Sequence, residues 1–153
     1  VVYRFFPEEK ALWLHHLCEA NFSRLERLIP SFGEIQEESV GRATGKPALY
    51  FRLLERSPFT LVIELTHDFS GEPQLIFEPN VRIRVCLDAR TVEMLSDDER
   101  PHVHLALRDA EAPEAILDYK WEMNYFLARW LDHCLQADYR FPARQVSRDL
   151  ATA

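Results

Sequence analysis

PNVRIRVCLDARTVEML, Pro79 to Leu95, decides the reading of the fold. Val81, Ile83, Val85 and Leu87 alternate with Arg82, Arg84, Cys86 and Asp88. Successive side chains of a strand point to opposite faces, so this segment has one apolar side and one largely charged side. Asp88-Ala89-Arg90 has the character of a turn, and Thr91 to Leu95 returns as a shorter strand. The stretch predicts a hairpin with strands at about 80–88 and 91–95.

Two more strands precede it. At about 48–55, Leu49, Phe51 and Leu53 alternate with Tyr50, Arg52 and Leu54; after Arg56-Ser57-Pro58, a strand at about 59–67 turns Phe59, Leu61, Ile63 and Leu65 inward. Ser31 to Pro47 contains three of the four glycines and no sustained period, and reads as a loop. Helical spacing appears at both ends of the chain. Pro7 suits a first helical turn, Leu14, Cys18, Phe22, Leu25 and Ile29 recur every three or four residues, and Pro30 stops the pattern. Pro113 opens a second helix, about 114–136, whose apolar face holds Trp121, Met123, Phe126, Leu127, Trp130, Leu131, Cys134 and Leu135. Val1 to Phe6 reads as an edge segment or flap, His102 to Leu107 as a fifth strand or a short helix, and residues 137–153 as a loosely held tail.

Strands with one apolar face and helices with one apolar stripe must bury them against each other. The expected fold is α+β: an antiparallel sheet of four to five strands, with the N-terminal and C-terminal helices packed on one face. A doubly wound parallel sheet is disfavoured, because its strands would be apolar on both sides.

The 153 residues fit one domain, 1–153, long enough for a sizeable core. A net charge of −7 disfavours a surface that grips nucleic acid or an anionic membrane as a whole. No apolar run has the length of a membrane span, and the N-terminus lacks the layout of a secretory signal. A cytoplasmic location is expected. The three cysteines, Cys18, Cys86 and Cys134, are widely spaced without a CxxC pair and read as free packing thiols.

The sequence carries no glycine-rich phosphate loop, Gly-x-Ser-x-Gly elbow or HExxH motif. His102 and His104 lack further ligands at a metal-binding spacing. Cys18 near His15, and Cys134 beside His133, lie on apolar stripes where a thiol is inert. Neither a metal nor a cofactor is expected, and no catalytic residue can be named. Arg82, Arg84 and Asp88 share the charged side of the hairpin, which reads either as a lattice of cross-strand ion pairs or as an arginine platform for a phosphate or acidic partner. Asn21 and Asn124 sit in or beside apolar helical faces, where an unpartnered amide costs about 1 to 3 kcal/mol. They read as register-fixing hydrogen bonds, or together with Glu19 as a ligand site.

Three stretches, LCEANFSRLERLIP (Leu17–Pro30), VRIRVCLDARTVEML (Val81–Leu95) and KWEMNYFLARWLDHCL (Lys120–Leu135), resemble the YqiB-like proteins of bacteria, a family classed as a domain of unknown function. The matches include Leu17, Cys18, Glu19, Asn21, Phe22, Asp88, Ala89, Asn124 and Trp130. The resemblance implies no activity, cofactor or catalytic residue. The expectation is a small non-catalytic binding or protein-interaction module; the alternative is a nucleotide- or phosphate-linked ligand-binding protein or enzyme using Arg82 and Arg84. The expected partner is a protein or a small anionic ligand, and the oligomeric state is left open.

Overall fold

A computed structural model describes residues 7–68, 80–95 and 113–142. The expectations for Val1 to Phe6, for His102 to Leu107 and for the end of the tail lie outside these residues. Helix α1 (Pro7–Leu28) is followed by strands β1 (Glu38–Gly41), β2 (Ala48–Arg56), β3 (Thr60–Asp68), β4 (Asn80–Cys86) and β5 (Thr91–Met94), then by helix α2 (Pro113–Gln136). The strands form one antiparallel sheet in the order β1-β2-β3-β4-β5.

The expected α+β architecture is present, and its cause is visible residue by residue. Leu49, Phe51, Leu61, Ile63, Leu65, Val81, Ile83, Val85 and Val92 are fully or almost fully buried, as are Leu25, Leu127 and Leu131 from the helices and Ile29 just past α1. Period two on the strands and the three-to-four spacing on the helices therefore close on one core. At about 25 cal/mol per Å² of apolar surface, each such side chain contributes roughly 1.5 to 3 kcal/mol. Lys10 pairs with Asp118, and Arg24 with Asp132, so the two helices run side by side in the same direction. Among the described residues no helix is long and apolar enough to cross a membrane.

Four details depart from expectation. Residues 38–41, read as loop, form edge strand β1; its inward positions are the buried Ser39 and Gly41, too small and polar to reveal alternation. Phe59, an inward position by alternation, lies in the turn before β3 and is 63% exposed. Phe126 is 41% exposed, because the buried stripe of α2 is centred on Asn124, Leu127, Leu131 and Cys134. Residues 137–142 are held rather than loose: the Tyr139 hydroxyl donates to the Pro47 carbonyl at 2.6 Å, and Arg140 exchanges backbone hydrogen bonds with Arg42. A Cβ on Gly41 would stand 2.5 Å from the Phe141 ring, so glycine is what lets that ring lie on β1.

Candidate functional site

The six residues singled out from the sequence fall into separate places. Asn21 and Asn124 meet at the buried junction of α1, α2 and β5. Asn21 Nδ2 donates to the Asn124 carbonyl at 3.2 Å, and Asn124 Oδ1 accepts the Met94 N–H at 2.8 Å. Asn124 Nδ2 donates to the Lys120 carbonyl at 2.8 Å, and Arg24 donates to Asn21 Oδ1 and to Asp132. Both amides are 0% exposed. Met94 lies on edge strand β5, so Asn124 supplies the acceptor that a further strand would otherwise have given.

Glu19 stands apart on the exposed side of α1, 3.2 Å from His16 Nδ1 and 3.6 Å from His15 Nε2. Asp88 lies in the β4–β5 turn, where its Oδ1 accepts the Ala89 N–H at 2.9 Å. The same turn places Arg90 at φ 56°, over the Phe22 ring and 3.0 Å from Glu26. Arg90 thus ties the hairpin to α1.

Arg82 and Arg84 point from the outer face of the sheet. Strand register aligns Glu38, Arg52, Glu64 and Arg82 as one row across β1, β2, β3 and β4, with signs alternating. Arg82 Nε lies 3.4 Å from Glu64 Oε2. Arg84 stands opposite Glu93, which is paired with Lys120 of α2 at 3.5 Å. Among the described residues, exposed Arg52 and Arg84 have no carboxylate partner within ion-pair distance. A concavity of about 310 Å³ opens beside the row, lined by Glu38, Tyr50, Arg52, Glu64 and Thr66. Arg52 is not among the six. Its signal is the register that sets it against Glu64, which sequence alone leaves ambiguous because β2 carries a bulge between Leu53 and Glu55.

The thiols have other surroundings than their sequence neighbours suggest. Cys134 Sγ lies 3.9 Å from Nε2 of buried His67, whose ring packs against Trp130 and Tyr139. Burial pushes the Cys134 thiol up to about 12. Cys18 is also pushed up to about 12, first by burial and then by the Glu93 carboxylate. Both stay protonated and non-nucleophilic at neutral pH. Among the described residues no three His, Cys, Asp or Glu side chains gather as a metal site.

The family described as a protein of unknown function, DUF1249, matches residues 24–140. The proteins named "Uncharacterized protein YqiB" from Escherichia coli K12 and Escherichia coli O157:H7 are each 27% identical to this chain over 135 residues, spanning 85% of this chain and 88% of each relative. No solved structure matches.

Proposed function

The chain belongs to the DUF1249 family of proteins of unknown function, and from that premise we infer a non-catalytic binding or protein-interaction module whose contact surface is the outer face of the sheet. One observation carries this reading: that face keeps Arg52 and Arg84 exposed without a carboxylate partner among the described residues, and Arg52 lines a concavity of about 310 Å³. The polar groups of the helix junction, by contrast, are consumed by hydrogen bonds. The imidazole-flanked thiol of Cys134 is buried and protonated, which supports binding over cysteine chemistry. The test is capture from native lysate on immobilised chain, compared with an Arg52→Glu, Arg84→Glu variant of equal melting temperature. Specific retention that the variant loses is expected; identical retention by both overturns the reading.

A second reading, a nucleotide- or phosphate-linked ligand on Arg82 and Arg84, is favoured by the unpaired Arg84, since a guanidinium offers a planar fork to phosphate. Arg82 already donates to Glu64, which weakens it. Thermal-shift screening with nucleotides separates the two. A shift abolished by Arg82→Ala, Arg84→Ala supports the ligand, and no shift with any nucleotide removes it.

A further inference from the structure

We propose that the outer face of the sheet pairs with the same face of a second copy of this chain, the row Glu38, Arg52, Glu64, Arg82 meeting itself in reverse. The inference rests on the reading of that face as a contact surface and names its partner. A two-fold axis parallel to the strands and passing between β2 and β3 exchanges β1 with β4 and β2 with β3. Arg52 then faces Glu64 of the second copy, and Glu38 faces Arg82 of the second copy, each contact occurring twice. The neighbouring row, Val40, Tyr50, Thr66 and Asn80, maps onto uncharged residues throughout. An axis running across the strands would instead set each residue against its own copy and bring like charges together. The alternation therefore selects one orientation and rejects the other.

Arg52 and Glu64 are the central pair. Arg52 is exposed and has no carboxylate partner among the described residues. Glu64, with only 15% of its side chain exposed, is held in place by Arg82. A carboxylate has room for two guanidinium groups, so Arg82 fixes the acceptor that Arg52 of the second copy reaches. The four charges of the row sum to zero on a chain whose net charge is −7. This is a place where two acidic copies meet without net local repulsion. The four strands that overlap, about 4.8 Å apart and about seven residues long, project on the order of 450 Å². That area is below the ~800 Å² per partner of a standard stable interface, so a weak, micromolar dimer is the expected product.

The test is sedimentation equilibrium of the full chain across the micromolar range, alone and as Arg52→Glu and Glu64→Arg. A reversible dimer is expected for the native chain. Each single variant faces a like charge at both central contacts and should weaken association by about tenfold or more. An equal mixture of the two variants should recover it. The new carboxylate of the Arg52→Glu chain then meets the new guanidinium of the Glu64→Arg chain, and the unaltered Glu64 and Arg52 meet at the other central contact. Only an intermolecular contact predicts that recovery. Circular dichroism of each variant checks its fold, and the native chain alone tests association without any substitution. A native chain that stays monomeric, or single variants whose mixture does not reassociate, overturns the proposal. A monomeric chain that still loses its lysate partners on Arg52→Glu, Arg84→Glu removes the second copy as partner and leaves the contact-surface reading standing.

Discussion

The junction of α1, α2 and β5 and the outer face of the sheet both gather polar side chains on strands or helices of strict periodicity, yet they spend them differently. At the junction, Asn124 uses its side-chain carbonyl on Met94, its amide on Lys120 and its backbone carbonyl on Asn21, all at 0% exposure of the two asparagines. Across the outer face, Glu64 and Arg82 pair loosely at 3.4 Å while Arg52 and Arg84 stay exposed and unpaired among the described residues. Buried polar groups must be satisfied, because an orphan is costly; exposed ones are satisfied by water and stay available to a partner. Polarity alone therefore does not mark a site. A contact surface needs hydrogen-bonding capacity left unspent on an accessible face.

Breaking the junction should have the largest effect. Asn124→Ala removes the acceptor of the buried Met94 N–H and should cost about 2 kcal/mol or more in urea unfolding. A loss below about 0.5 kcal/mol would show the network to be dispensable for folding. Raising pH probes the same interior. With folded-state thiols near 12 against an ordinary 9.0, Cys18 and Cys134 hold protons that the unfolded chain releases. Their contribution is present in full below pH 9.0 and is lost as pH rises towards about 12, by up to about 1.4 kcal/mol per pH unit per thiol. Unfolding midpoints that stay flat from neutral pH to about pH 10.5 would contradict this.

Arg90→Ala, which frees the hairpin from Glu26 and the Phe22 ring, should cost about 0.5 to 1 kcal/mol in the same urea titration. Arg82→Ala on the outer face should change stability by no more than about 0.5 kcal/mol, since its exposed pair with Glu64 is weak. A larger loss would erase the distinction between the two regions.

The hairpin, β2, β3 and both helices were legible because burial imposes a period on the sequence, and period is a local property. Asn21 and Asn124 were legible as polar breaks in apolar stripes. Strand β1 was not, because Ser39 and Gly41 fill its inner positions and Gly41 is small to admit Phe141. Nor was the pairing of Arg24 with Asp132, or of His67 with Cys134, since each joins segments far apart in the chain. The row from Glu38 to Arg82 depends on register across four strands, one of them bulged, and register is settled by tertiary pairing.

Cys86 lies on the outer side of β4, half-buried, two residues from Arg84, whereas Cys18 and Cys134 are buried. Its alkylation rate therefore reports on whether coverage of the outer face extends to this end of β4, in the dilute chain and again in a complex formed with a second copy or a captured partner. Cys86 labelling is expected to slow severalfold in the complex while Cys18 and Cys134 stay unreactive in both. An unchanged Cys86 rate in a complex that has demonstrably formed would exclude the Cys86 end of β4 from the contact surface.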